Sequence, residues 1–152
     1  MEFFNSTYIK KYINFFSGNF NPDNISGRVI NLRKNDSIVY QKAFDFSVAI
    51  VKLYKYLCQE KKEYVLAKQL LRSGTSIGAN IREGLEGQSK RDFIAKLSIS
   101  LKEACETEYW LDLLVASNIL SENRVYSLLL NIEEIIKLLT AILRTSKKTV
   151  DS

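Results

Sequence analysis

The fold is decided by residues 69–84, which read QLLRSGTSIGANIREG. Apolar and small side chains recur here at helical spacing, which places them on one face of an α-helix. Small side chains allow a neighbouring helix to approach closely, although each glycine costs up to about 1 kcal/mol relative to alanine in a helix interior. The stretch therefore predicts a helix over about residues 64–87 whose tight packing offsets its glycines. The expected packing seam follows one face: Leu66, Leu70, Ser73, Ile77, Asn80 or Ile81, and Gly84.

Another helix is predicted upstream, from about Tyr40 to Glu60. Its core face is marked by apolar residues that step by four, three and four positions: Phe46, Ile50, Leu53 and Leu57. A second apolar row, formed by Phe44, Val48 and Val51, lies on a different side of the same helix. A helix that is apolar on two sides usually has two partners, so this row points to self-association.

Two more helices are predicted downstream. Ser89 followed by Asp92 resembles a capping arrangement, because the serine oxygen can accept from a backbone amide and the carboxylate favours the positive first turn. The third helix then runs to about Ser117, and Ser121 with Glu122 begins the fourth. The third helix has this apolar stripe: Phe93, Leu97, Leu101, Ala104, Leu111 and Leu114. The fourth has a longer one: Val125, Leu128, Leu129, Ile132, Ile135, Ile136, Leu139, Ile142 and Leu143.

Four helices joined by short polar connections pack most simply as an antiparallel up-down-up-down bundle. The sequence therefore predicts an all-α four-helix bundle over residues 39–146, followed by a frayed tail at 147–152. An irregular N-terminal arm is predicted over residues 1–38, because they hold Pro22, two of the six glycines and seven asparagines. One short helix is predicted inside the arm from apolar residues at helical spacing: Tyr8, Ile9, Tyr12, Ile13 and Phe16. We expect the arm to pack on the bundle or on a neighbouring subunit.

Three stretches resemble the four-helix-bundle proteins encoded within intervening sequences of bacterial 23S rRNA genes. They are residues 69–84, then RDFIAKLSISLKEACETEYWLDLL at 91–114, and AFDFSVAIVKLYKY at 43–56. Together the resemblance covers about residues 40–145. It implies a ribosomal-protein-like, all-α protomer that assembles into a ring, often a pentamer, with no established catalytic activity. Accessory proteins of diversity-generating retroelements are similar in fold and are thought to bind nucleic acid and a reverse transcriptase, but the motif favours the ribosomal-RNA-associated branch.

Composition excludes several classes of function. Histidine is absent from the chain, which rules out Ser-His and Cys-His catalytic pairs and any His-ligated metal site within it. Cys58 and Cys105 lie far apart in sequence, and we expect reduced thiols rather than a disulfide. Charged residues interrupt the N-terminal apolar segment, and no apolar run reaches the roughly 18 residues of a membrane span. We therefore expect a cytoplasmic protein with no membrane partner, no cofactor and no enzymatic activity.

A polar network is predicted between the second and third helices. Arg72 and Glu83 are eleven residues apart, about three helical turns, so both side chains leave the same side of the second helix. Glu103 and Glu106 share a side of the third helix, where a glutamate can pair with Arg72 across the interface. An alternative is that these carboxylates form a metal or acid-base site. The full set expected in a structural network is Arg72, Ser76, Asn80, Glu83, Glu103 and Glu106.

Two further motifs have a structural and a functional interpretation. The glycines at 74, 78, 84 and 87 could suggest a phosphate loop, but no Gly-Lys-Ser/Thr ending follows and the run lies inside a helical pattern. Close helix packing explains them better. Trp110 is interpreted as a core or interface aromatic in preference to a platform for a stacked base.

Basic residues provide the candidate binding surface, because the chain carries a net charge of +5. In an up-down bundle they fall at opposite poles, which gives two patches. The residues expected to contact nucleic acid are Lys52, Lys55, Lys61, Lys62, Lys68, Arg144, Lys147 and Lys148. The first functional hypothesis is a non-catalytic homo-oligomeric scaffold that binds RNA or another nucleic acid. The alternative is an adaptor that engages an unidentified protein through the apolar row and the N-terminal arm.

Overall fold

The computed structural model describes residues 37–148. Within this range the chain forms four helices and no strand: α1 (Ile38–Gln59), α2 (Val65–Leu85), α3 (Lys90–Ala116) and α4 (Glu122–Lys148). The all-α prediction is confirmed. Helix α4 includes Lys147 and Lys148, which the sequence pattern assigns to the tail. The short helix expected around Tyr8 to Phe16 of the N-terminal arm lies outside the described residues.

Side chains just before the helices satisfy backbone amides that have no partner within the first turn. The Ser89 hydroxyl accepts from the amide of Asp92 at 3.1 Å, which confirms the predicted cap of α3. At the start of α2, the Glu63 carboxylate accepts from the amides of Val65 and Leu66 at 2.9 and 2.8 Å. Each cap contributes about 1 kcal/mol to helix stability and fixes where the chain leaves a connection and becomes helical.

Neighbouring helices run in opposite directions. Near the start of α1, the Lys42 ammonium lies 2.9 Å from the Glu134 carboxylate of α4. Near the end of α1, the Arg124 guanidinium carbon lies 3.9 Å from the centre of the Tyr56 ring. Residue numbers therefore increase along α1 while they decrease along the facing part of α4, so the two helices are antiparallel. Because α1 also contacts α2, α2 contacts α3 and α3 contacts α4, the helices close into the predicted up-down-up-down bundle.

All four helices contribute to one apolar core. The predicted core face of α1, which includes Phe46 and Ile50, is buried throughout. Helix α4 presents its stripe inward through Val125, Leu128, Ile132, Ile135, Leu139 and Leu143. On α3, Leu101 packs against the core but is only partly buried, whereas Ser100 and Thr107 are fully buried. The inward face of α3 steps through residues 97, 100, 104, 107, 111 and 114, which is the three-four spacing of a helix seam.

Glycines of α2 set how closely the helices approach. A β-carbon placed on Gly74 would lie 2.9 Å from the Ile50 Cγ2 atom of α1, and one on Gly84 would lie 2.8 Å from the Leu97 Cδ1 atom of α3. At Gly78 the nearest atom, the Ser47 hydroxyl oxygen, would be 3.5 Å away, which is ordinary van der Waals contact. Packing against the branched Ile50 side chain therefore requires glycine at 74, Leu97 approaches Gly84 closely, and Gly78 has room for a methyl group.

We expect the substitutions Gly74→Ala and Gly78→Ala to have opposite effects on the free energy of unfolding. Alanine at 78 gains up to about 1 kcal/mol of helix propensity. At 74 the same gain is exceeded by overpacking against Ile50, whose branched side chain is stiff, so we expect a net loss of about 1 kcal/mol or more. Denaturant titration at one fixed protein concentration measures both changes. Equal stability of the two variants would contradict the packing account.

Candidate functional site

A charged cluster lies on the surface where α2 and α3 meet. The Arg72 guanidinium of α2 contacts the Glu106 carboxylate through Nη2, and its Nη1 lies 3.5 Å from Glu103 Oε2. The same oxygen of Glu106 accepts a hydrogen bond of 3.1 Å from the indole N–H of Trp110. The Arg72 side chain is 51% exposed, compared with 19% for Glu103 and 33% for Glu106. The structure therefore places these four residues in one solvent-facing network.

The other residues expected in the polar network lie outside this cluster. Glu83 pairs with Lys96 at 2.5 Å instead of sharing a partner with Arg72. The Asn80 side-chain amide donates to the main-chain carbonyl of Ser76 at 2.8 Å, which is a bond within α2. The antiparallel arrangement separates these contacts, because each turn of α2 faces a different turn of α3.

Buried hydroxyls connect α2 and α3 beneath the charged cluster. The Thr107 hydroxyl lies 2.9 Å from the Ser73 hydroxyl and 2.7 Å from the carbonyl oxygen of Glu103. The Ser100 hydroxyl donates to the carbonyl of Ile77 at 2.9 Å. Ser100 and Thr107 were not predicted from the sequence, although both fall on the three-four spacing that runs from Leu97 to Leu114. Within residues 37–148, no buried side-chain nitrogen or oxygen lacks a hydrogen-bond partner.

Electrostatics at the cluster do not favour acid catalysis. The hydrogen bond from Trp110 holds the pKa of Glu106 below its ordinary value, and Arg72 acts in the same direction against partial desolvation. Contact with Glu106 raises the pKa of Arg72. A general acid at neutral pH needs a carboxyl whose pKa is raised, so Glu106 has the wrong shift for that role. No group of three or more Cys, Asp or Glu side chains in the described part of the chain is arranged to hold a metal ion.

Removing the indole donor should raise the pKa of Glu106. We expect Trp110→Phe to move its titration midpoint toward the ordinary value of 4.5, as followed by carboxyl-carbon NMR of the full chain. Because the folded-state pKa is lowered, the stability contributed by Glu106 is present above its unfolded pKa and is lost as the pH falls through the folded one. Tyr109→Phe is the matched control, since Tyr109 contacts the Trp110 ring edge without donating to Glu106. An unchanged midpoint in Trp110→Phe would contradict this assignment.

Five of the eight candidate cations form the first basic patch. They lie at the end of α1, in the following connection and at the start of α2: Lys52, Lys55, Lys61, Lys62 and Lys68. All are exposed, and within residues 37–148 none forms an ion pair. The neighbouring Glu63 carboxylate is occupied by the amides that it caps. The patch therefore presents ammonium groups whose charge is not neutralised by a direct partner in the described chain.

The remaining candidates form the second basic patch at the other pole of the bundle. Arg144, Lys147 and Lys148 are exposed on the last turns of α4. The antiparallel order brings the start of α3, with Lys90 and Arg91, to the same pole. These two cations were not predicted as part of the patch, because they lie far from α4 in sequence. The up-down topology was the signal that could have grouped them.

The fold and surface define a class of protein: a small all-α four-helix bundle with a tightly packed central hairpin and basic poles. None of the four helices in residues 37–148 is long and apolar enough to cross a membrane. The chain belongs to the 23S rRNA-intervening sequence protein family, whose sequence profile matches residues 35–141.

A solved structure supports the same relationship. It is a protein of unknown function from the S23 ribosomal protein family of Bacteroides thetaiotaomicron VPI-5482, and it is 53% identical to this chain. The similarity covers 70% of this chain and 98% of that one, with a TM-score of 0.69. No curated protein sequence matches significantly. The family relationship therefore establishes the bundle and its ribosomal-protein-like class without assigning an activity.

Proposed function

We propose that this protein is a non-catalytic homo-oligomeric scaffold of the cytoplasm that binds RNA through its two basic patches. One observation carries the proposal: eight exposed cations lie at the two poles of the bundle, and within residues 37–148 none of them forms an ion pair. Phosphate groups are the partners that such cations attract without reading a sequence. The protein is expected to bind structured RNA with strong salt dependence and little sequence preference.

Other cations of the bundle already form ion pairs with carboxylates. Lys42, Lys96 and Lys137 each lie within 2.9 Å of a glutamate oxygen. Forming a phosphate contact there would first require breaking an existing pair, whereas the two patches need no such exchange. The difference makes the patches the natural place for a polyanion on this surface.

Self-assembly would strengthen weak binding at each patch. The resemblance favours a ring of five subunits, and a ring presents each patch once per subunit on the same side. Once one subunit holds an RNA, a flexible strand meets the next patch at high effective concentration, so avidity can exceed the affinity of a single protomer by about 10²-fold or more. The proposed binding unit is therefore the oligomer.

Charge reversal in the first basic patch should weaken RNA binding. We expect Lys55→Glu, Lys61→Glu and Lys62→Glu together to reduce the affinity for a labelled structured RNA. The plot of log K against log salt should become less steep, by about 2 to 3 in slope, if each lysine contacts one phosphate. Fluorescence anisotropy with nuclease-treated protein measures both. Reversal of Arg144, Lys147 and Lys148 tests the second basic patch in the same way.

The matched control reverses the same number of charges at cations that already have partners. Lys42→Glu, Lys96→Glu and Lys137→Glu should weaken binding less, because these lysines are already paired with glutamates and would contact phosphate only after losing those pairs. Circular dichroism checks that all variants keep their helicity. Equal losses of RNA affinity in the patch and control variants would show that only the net charge matters and would contradict the site assignment.

A protein-interaction adaptor is the second candidate, favoured by the apolar row on α1. Phe44, Val48 and Val51 are 53%, 42% and 38% exposed. Large exposed apolar surfaces on soluble proteins usually mark contacts with a partner. This function predicts a stoichiometric protein partner that is lost on Phe44→Lys. Light scattering of the purified chain, together with the RNA titration, separates the candidates. A closed homo-oligomer that retains salt-sensitive RNA binding supports the scaffold, and a monomer without RNA affinity supports the adaptor.

A further inference from the structure

An exposed tyrosine lies inside the first basic patch. Tyr64 directly precedes α2, with Lys62 before it in the connection and Lys68 after it in the first helical turn. Tyr64 is 57% exposed, and the following Val65 is 73% exposed. The Lys68 amide donates to the Tyr64 carbonyl at 3.2 Å, so the two residues are neighbours one helical turn apart. The patch therefore combines ammonium groups with an aromatic side chain that is open to solvent.

The backbone around Tyr64 is held by hydrogen bonds on both sides. The Glu63 amide donates to the carbonyl of Leu57 at 3.0 Å, which closes the connection onto the end of α1. The Glu63 carboxylate accepts from the amides of Val65 and Leu66, which fixes the start of α2. Because Glu63 occupies these two amides, they are not open to an anion, and phosphate binding at this pole is left to the lysines. The connection presents Tyr64 from a defined backbone.

The ring of Tyr64 has no partner in the described part of the chain. Two other tyrosines show the contrast. The Arg124 guanidinium carbon lies 3.9 Å from the centre of the Tyr56 ring. The Tyr109 ring contacts the Trp110 ring, with 5.0 Å between their centroids. Within residues 37–148, neither a cation nor another ring contacts Tyr64 in this way. Its aromatic surface is available to a planar group from outside.

We propose that Tyr64 is a stacking platform for an unpaired nucleobase of an RNA whose phosphates contact Lys61, Lys62 and Lys68. The proposal rests on the proposed function and names the class of RNA that this patch takes, which is a single-stranded segment such as a loop, a bulge or a free end. Inside a duplex each base is covered by its neighbours, so a protein ring has no base face to contact. An unpaired base has a free face, and every base can stack on an aromatic side chain.

The spacing of the patch suits a single strand. Residues four apart on a helix have β-carbons about 5–6 Å apart. The flexible stem of Lys68 can therefore reach the phosphate of a nucleotide whose base lies on Tyr64. Lys61 and Lys62 lie in the connection on the other side of Tyr64, where they can contact the phosphates of adjoining nucleotides. Charge attraction and stacking then act on the same strand, whereas a duplex gains only the charge attraction.

Fluorescence anisotropy of the full chain with labelled single-stranded and double-stranded RNA tests the proposal. We expect Tyr64→Ala to weaken binding of an RNA without self-complementarity by about fivefold or more and to leave the affinity for a duplex unchanged. Tyr64→Phe keeps a ring and should keep the affinity. The Tyr64 side chain makes no capping hydrogen bond, so its removal should leave α2 intact, as circular dichroism checks.

Two controls separate stacking from other effects. Tyr126→Ala removes a tyrosine of similar exposure, 59%, whose neighbours one turn away are Glu122 and Leu130, and it should not change the affinity. An abasic strand with the same number of phosphates should bind the native chain more weakly than the strand that carries bases. Tyr64→Ala should not weaken binding of the abasic strand further.

The results that overturn the proposal differ from those that overturn RNA binding itself. Unchanged single-strand affinity in Tyr64→Ala, together with a loss in the combined variant of Lys61→Glu and Lys62→Glu, would remove the stacking site and leave the basic patch in place. Equal losses for single strand and duplex in Tyr64→Ala would also contradict stacking, because a duplex has no base face to lose. If the native chain binds neither RNA at low salt, the proposed function and the stacking site both fail.

Discussion

The close approach of α2 to both of its neighbours is the constraint on which the rest of the structure depends. Gly74 leaves space for Ile50 of α1, and Gly84 leaves space for Leu97 of α3. Between them, the Ser73 and Thr107 hydroxyls meet at 2.9 Å inside the α2–α3 interface. Small side chains bring the backbones together, and the buried hydroxyls must then find partners across the interface, because an unpaired one would cost about 1–3 kcal/mol. Together these requirements fix the register of the central hairpin.

That register decides which charges are paired on the surface. With Ser73 opposite Thr107, Arg72 lies beside Glu103 and Glu106, and the following turns bring Glu83 to Lys96. The pairs are solvent-exposed, so each contributes little to stability. Lys42, Lys96 and Lys137 are paired in this way, whereas the eight cations of the two basic patches form no ion pair within residues 37–148. Under the proposed function, a polyanion would contact the two basic patches without first breaking an ion pair.

Sequence periodicity predicted most of the fold, because burial in a bundle repeats at helical spacing. The buried stripes of α1 and α4 are strongly apolar, and the Ser89 cap has a local signature. Helix α3 was harder, since its seam includes Ser100 and Thr107 while the more apolar Leu101 lies beside it. Those hydroxyls are acceptable in the core only because their partners come from α2 or from the preceding turn, and the α2 partners are not visible in the local sequence.

The two basic patches differ in the same way, because the cations of one are neighbours in sequence and those of the other come together only in the fold. The first basic patch is local in sequence, so its lysines could be grouped before the fold was described. Lys90 and Arg91 join the second basic patch only through the antiparallel return of α4. The pairing of Glu83 with Lys96 likewise follows from register, which spacing along α2 alone does not determine.

Ultraviolet cross-linking of a structured RNA to the full chain, followed by peptide mapping, locates bound RNA on the surface of the bundle. RNA bound at the two basic patches gives cross-linked peptides from the end of α1 through the start of α2 and from the last turns of α4, all lost as salt is raised. Cross-links confined to peptides from the middle of the bundle, away from both poles, would contradict this. So would the absence of any cross-link at low salt.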